Sequence, residues 1–144
     1  MAGDQPKADL NRDSIPAVAT AEQRARKILV VDDEESMREL LRLHLGNNGY
    51  QVTVAEDAMV AGHLLVKDRP DLMIVDVEMP YMNGYEFVAA IKADPSTRDI
   101  PIVFLTTDAN VAEQAMKLRA DAYLNKPVMA NRLLEVVALL AGEN

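Results

Sequence analysis

The sequence predicts an α/β protein: an open, doubly wound sheet of five parallel strands with helices on both faces. Three observations predict it. Short apolar runs alternate five times with segments of helical periodicity between residues 27 and 142, the rhythm of repeated strand–helix units. The run 72–75 (Leu72, Met73, Ile74, Val75) is apolar at every position, as a strand covered on both faces is. Four of the five strands then end in polar, reactive residues, and the carboxyl ends of parallel strands are where such sheets bind ligands.

The elements follow in order. Residues 27–31 (KILVV) form a short apolar strand. In 35–49, Met37, Leu40, Leu41 and Leu45 recur at helical spacing, and Asn47, Asn48 and Gly49 supply the stop. Residues 50–54 (YQVTV) alternate as an outer strand does, and Asp57 caps a helix that runs to about Lys67. Residues 72–76 are the third strand. After a loop with Pro80 and Asn83, a helix runs from about Gly84 to Lys92, with Phe87, Val88 and Ile91 on one side. Residues 102–106 (IVFLT) form the fourth strand, 111–118 a helix, 122–125 (AYLN) the fifth strand and 130–142 the last helix.

Composition bounds the function. The 144 residues are 49% hydrophobic, enough for the core of one domain, and contain no cysteine, so thiolate and disulfide chemistry is excluded. No apolar run reaches the ~18 residues of a membrane span, and the polar start is no secretory signal, so a cytoplasmic location is expected. The net charge is −8. Residues 1–26 carry four acids and four bases, so nineteen acids against eleven bases place all of it on the remainder. An acidic body repels nucleic acid and suits proteins or cations as partners. Residues 1–25 lack hydrophobic periodicity and read as a flexible tail, with 26–144 as the folded domain. His44 and His63 stand alone in helices without a ligand set, and the methionines, among them Met37, Met73 and Met116, read mostly as core filler.

The strand ends deliver Asp32 and Asp33, then Asp76, then Thr106 and Thr107, then Asn125, Lys126 and Pro127. Each has an ordinary explanation alone: Asp33 as a cap, Asp76 as a turn former, Thr106 as a β-branched strand residue, Lys126 as a solvated end. Together they place three carboxylates, a hydroxyl and an ammonium on one edge. Packed carboxylates repel unless they protonate or a cation neutralises them. An all-oxygen donor set suits Mg²⁺, with Mn²⁺ as the alternative ion. Asp76 is then a nucleophile candidate, because carboxylates form acyl phosphates. Phosphoryl transfer needs positioning and charge compensation, which the cation, Lys126 and Thr106 can supply.

The segments VVDDEE (30–35), DVEMPYMNGYE (76–86), LTT (105–107) and YLNKP (123–127) closely resemble the receiver domain of two-component response regulators, over roughly residues 26–142. The resemblance implies a flavodoxin-like (βα)5 fold with strand order 2-1-3-4-5, which periodicity does not reveal. It also implies the roles. Asp76 is the phosphoacceptor, Asp32 and Asp33 hold Mg²⁺ together with the backbone carbonyl of Glu78, and Lys126 contacts the phosphoryl group. Thr106 is the switch hydroxyl and Tyr123 the aromatic residue that turns with it. The Lys126–Pro127 bond is expected to be cis, aiming the lysine into the site.

The implied partners are a histidine kinase or histidine phosphotransfer protein as donor and a downstream protein target met by the face of helix four, strand five and helix five. No nucleic acid or membrane is expected to bind directly. The chain ends with its last helix, so its output is expected to act through another protein, as a monomer or a phosphorylation-dependent homodimer. It is expected to catalyse its own phosphorylation and dephosphorylation without being a turnover enzyme. Thr107, Asp108 and Glu78 depart from the commonest pattern, and the two acids are expected to modulate phosphoryl lifetime. Arg119 stands where glycine often ends helix four, so a reshaped helix end is expected. Two alternatives fit less well. A Mg²⁺-dependent aspartate-nucleophile phosphatase places its nucleophile strand first, whereas Asp32 and Asp33 precede Asp76 here. A phosphate-independent scaffold has no use for a complete acidic site.

Overall fold

Runs without a polar break become the middle of the sheet, because only there are both faces of a strand covered. A computed structural model of the chain describes residues 24–142, so the reading of 1–25 as a tail lies, for 1–23, outside the described residues. Strands β3 (Leu72–Asp76) and β4 (Ile102–Thr106) are buried at every position. Strand β1 (Lys27–Val31) is buried from Ile28 onward. Strands β2 (Gln51–Ala55) and β5 (Ala122–Asn125) form the edges and alternate in burial. All pairs are parallel, in the order β2-β1-β3-β4-β5.

Five helices follow the strands: α1 (Glu35–Gly46), α2 (Ala58–Lys67), α3 (Gly84–Ala93), α4 (Val111–Leu118) and α5 (Ala130–Ala141). They divide between the two faces. Leu41 and Leu45 of α1 join Leu133, Val136 and Val137 of α5 over Ile28, Val30, Leu72, Ile74, Val103 and Leu105. Ala61 of α2, Phe87, Val88 and Ile91 of α3, and Val111 and Ala115 of α4 cover the opposite face, on Leu29, Val31, Met73, Val75, Ile102 and Phe104. Full burial of a side chain such as Phe87 or Ile91 contributes roughly 1.5–3 kcal/mol, which outweighs the weak helix preference of β-branched residues in α3.

The helix starts follow local chemistry. Asp57 caps α2 by accepting from the Val60 N–H at 2.8 Å. Asn83 and Glu86 form a reciprocal capping box at the start of α3, each side chain accepting from the other's backbone N–H.

Several sequence expectations need correction. β2 begins at Gln51, not Tyr50: the Gln51 N–H joins the ladder at Arg26 O, while Tyr50 N–H still bonds back to Leu45 O. α5 stops at Ala141, one residue short of the expected end, where Gly142 turns to φ +96°, whereas α1 ends at Gly46 with Asn47 as its C-cap, as expected. The methionines are not mostly core filler. Met73 and Met79 are buried, but Met59, Met82, Met116 and Met129 are exposed; for Met116 the reason is that α4 packs through Val111 and Ala115. Arg119 does not reshape the end of α4: it takes the left-handed conformation (φ +60°) that glycine would favour, and the turn closes normally on Ala115 O and Met116 O.

Candidate functional site

The parallel register brings four strand ends to one edge. Asp76 closes β3 and is 1% exposed; Asp32, one residue past β1, and Thr106, closing β4, are fully buried. They are the buried polar side chains among the described residues, in a core otherwise built of hydrophobic side chains. The geometry at each aspartate is local. Asp32 Oδ1 accepts the Glu34 N–H at 2.9 Å, and Asp76 Oδ1 accepts the Glu78 N–H at 3.1 Å. Asp33 does not cap α1, whose start at Glu34 has no side-chain cap; it is exposed and brings its charge to the same cluster.

Asp32, Asp33 and Asp76 each bring a carboxylate oxygen within 4.8 Å of the others. Asp32 Oδ2 is buried with no hydrogen-bond partner. An unpartnered oxygen beside two like charges is unfavourable unless a cation shares the site. The all-carboxylate donor set fits a hard divalent ion such as Mg²⁺. Burial, then the neighbouring Asp32 charge, push the Asp76 carboxyl up to about 7 against the opposing pull of Lys126. Burial raises Asp32 as well. Lys126 Nζ donates to Asp76 Oδ1 at 2.9 Å. Burial alone would lower the lysine, but the Asp76, Asp32 and Glu78 carboxylates outweigh it and hold the ammonium charged. The Lys126–Pro127 peptide bond is cis.

A second set of contacts surrounds Thr106. Its hydroxyl donates to Glu78 Oε2 and accepts the Asp108 N–H at 2.8 Å. Glu78 Oε1 also lies 3.4 Å from the donating Thr107 N–H and 3.7 Å from Lys126 Nζ. The Asp108 carboxylate is engaged elsewhere, accepting from the Asn110 N–H at 2.9 Å and the Tyr85 hydroxyl at 2.7 Å, which together hold its carboxyl below the usual range. Burial and this carboxylate push the Tyr85 hydroxyl well above its ordinary value. The Tyr85 ring meets Phe104 edge-on at 5.1 Å. Tyr123 is not in the cluster: it sits on edge strand β5 opposite Phe104 in register, 39% exposed.

The sequence reading located Asp32, Asp33, Asp76, Thr106 and Lys126 on one edge, and the fold brings them together. It missed Tyr85 as the partner of Asp108, and the Glu78 side chain as an acceptor for Thr106. It also missed Gly84, where a Cβ would lie 2.4 Å from Asp76 O and 2.8 Å from Val77 Cα. A glycine at the first turn of a helix, directly after a capping Asn, has no helical reason to be there and was the available signal.

Comparison with known proteins gives the family and the fold. The response regulator receiver domain family model matches residues 28–138. Response regulator MprA of Mycolicibacterium vanbaalenii is 41% identical over 110 residues, covering 75% of this chain and 47% of that protein, so the chain spans about half the length of the curated relatives it matches. Among solved structures, the chemotaxis protein CheY4 of Vibrio cholerae superposes with a TM-score of 0.77 at 33% identity, covering 81% of this chain and 99% of that one. The receiver domain of the sensor histidine kinase PA1611 of Pseudomonas aeruginosa, solved with a magnesium ion in its active-site cleft, gives a TM-score of 0.75 at 25% identity over 83% of this chain and 100% of that one. By family model, identity and fold alike, the chain belongs to the response regulator receiver domains.

Proposed function

We propose that this receiver, residues 26–144, is a phosphorylation-activated signalling switch whose acceptor is Asp76. The donor is a phosphohistidine on a histidine kinase or a histidine phosphotransfer protein. The observation that carries this reading is a nearly buried Asp76 held by Lys126 at 2.9 Å, with Asp32 and Asp33 within 4.8 Å at the carboxyl edge of the sheet.

Asp32, Asp33 and Asp76, with the Glu78 backbone carbonyl, are the residues that would hold Mg²⁺ or Mn²⁺. When bound, the ion neutralises the clustered carboxylates and offsets charge on the transferring phosphoryl oxygens. An Asp76 carboxylate oxygen attacks phosphorus while the P–N bond to the donor imidazole breaks, and the electron pair leaves on the imidazole nitrogen. Lys126 stays protonated and follows the charge as it moves from the Asp76 carboxylate to the phosphoryl oxygens. Thr106 turns its hydroxyl to the new group. Tyr123 shifts with it, and the face of α4, β5 and α5 changes its binding preference, a shift between two populated states. Water then cleaves the acyl phosphate and resets Asp76. The receiver is thus a switch that catalyses its own modification and not a turnover enzyme.

The output surface is supported by exposed Tyr123, Met116 and Leu139, and by a groove of about 520 Å³ lined by Tyr123, Asn125, Pro127, Met129 and Arg132. Its partner is a downstream protein or a second receiver, which light scattering with and without a phosphoryl mimic distinguishes. Among the described residues no helix is long and apolar enough to cross a membrane, and we place the reaction in the cytoplasm. The test is labelling with acetyl phosphate in Mg²⁺. Wild type is expected to gain one phosphoryl group by intact mass, and Asp76→Ala or chelator to abolish it. A wild type that gains nothing, or an Asp76→Ala variant that labels equally, would refute the reading.

A further inference from the structure

Three hydrogen-bond donors beside Asp76 converge on one carboxylate. The Thr106 hydroxyl donates to Glu78 Oε2, the Thr107 N–H meets Oε1 at 3.4 Å, and Lys126 Nζ stands 3.7 Å from the same oxygen. They come from two elements, the end of β4 and the segment after β5, and enclose a corner able to receive the oxygens of a tetrahedral anion. The Asp76 carboxylate borders this corner through Lys126, which bonds it at 2.9 Å. Glu78 fills the corner from the loop after β3, and its side chain is 43% exposed, free to swing outward to water.

We infer that the Glu78 carboxylate is an internal stand-in for the phosphoryl group, occupying the unphosphorylated receiver's anion corner and displaced when Asp76 is loaded. The inference rests on the phosphoryl reading of Asp76 and adds a positioning residue to it. Two consequences follow from the contacts. Glu78 Oε2 holds the Thr106 hydroxyl before any phosphoryl group arrives, so the hydroxyl must leave this bond to turn to the loaded group. Glu78 competes with every incoming anion for the same donors. Asp108, the other acid near the site, does not share this role, because Tyr85 and the Asn110 N–H hold its carboxylate away from the corner.

The experiment is titration of the full chain with beryllofluoride, a phosphoryl mimic, in Mg²⁺, followed by the backbone amide resonances. Removing the competitor in Glu78→Ala is expected to tighten beryllofluoride about tenfold, the ratio commanded by one charge-assisted hydrogen bond of modest net strength. Glu78→Gln, which keeps an acceptor for Thr106 but no charge, is expected to fall between the two. A general field effect makes Gln and Ala equal and vanishes in ~1 M salt, where screening reaches about 3 Å; displacement leaves the Ala gain in place there. The Thr107 amide resonance is expected to move in Glu78→Ala before any ligand is added. Equal affinity in wild type and Glu78→Ala, or a gain that salt abolishes, overturns the inference while leaving Asp76 as acceptor. Absence of beryllofluoride binding in all three proteins overturns the phosphoryl reading and this inference with it.

Discussion

Replacing Gly84 with alanine sets two effects against each other. Helix propensity alone favours alanine over glycine by up to about 1 kcal/mol, and a negative φ at this position raises no objection to a side chain. The space is the objection. The new Cβ would lie 2.4 Å from the Asp76 carbonyl oxygen and 2.8 Å from Val77 Cα, distances a real methyl does not reach. Both opposing atoms are backbone, so no side chain can rotate away. The Gly84 N–H is also bonded to Val77 O at 2.9 Å, which ties the helix start to the strand end. Overpacking of this kind costs about 3 kcal/mol at the upper end of its range, so the clash wins and the net loss is about 2 kcal/mol. Urea denaturation followed by circular dichroism measures it, and for a domain of this size a fall of roughly 6 °C in the melting temperature is expected. The displaced loop carries Glu78, so labelling by acetyl phosphate should slow as well. A Gly84→Ala variant as stable as wild type, or more so, would refute the packing argument.

Two further outcomes follow. Burial pushes the Asp76 carboxyl up to about 7 from its ordinary 3.8, so the folded state binds this proton more tightly than the unfolded one. Its contribution to stability is therefore complete below about pH 4 and is lost as pH rises to about 7, the reverse of ordinary acid denaturation. In chelator, wild type should lose urea resistance across that window relative to Asp76→Asn, and Mg²⁺ should restore it; a wild type that gains on Asp76→Asn as pH rises contradicts this. Tyr85→Phe should cost about 1 kcal/mol, since it removes one hydrogen bond to Asp108. Asp108→Ala in addition should add less than its single effect, and strict additivity of the two would show that the bond carries no energy.

The sheet was legible in the chain because β3 and β4 are buried on both faces, and burial there demands runs such as Leu72–Asp76 with no polar break before the last residue. The site was legible for the same reason. A polar group at the end of an otherwise apolar strand has no packing role, so Asp32, Asp76 and Thr106 stood out. Strand order was not readable, because periodicity records which face a residue covers and not which strand lies beside it. The outward turn of Met116 was hidden too, since hydrophobicity alone does not say that Val111 and Ala115 suffice to seat α4. The placement of Glu78 on Thr106 depends on the path of a loop with Tyr81 at φ +69°. The pairing of Tyr85 with Asp108 joins residues 23 positions apart. Neither leaves a local pattern in sequence.

The most direct measurement reduces the labelled protein with borohydride, which converts an aspartyl phosphate into homoserine, and then sequences the peptides that carry positions 32, 33 and 76. Homoserine at position 76, dependent on Mg²⁺ and on a phosphodonor, is the expected result. Phosphate retained through reduction, or homoserine at Asp32 or Asp33 in place of Asp76, would contradict the assignment of the acceptor.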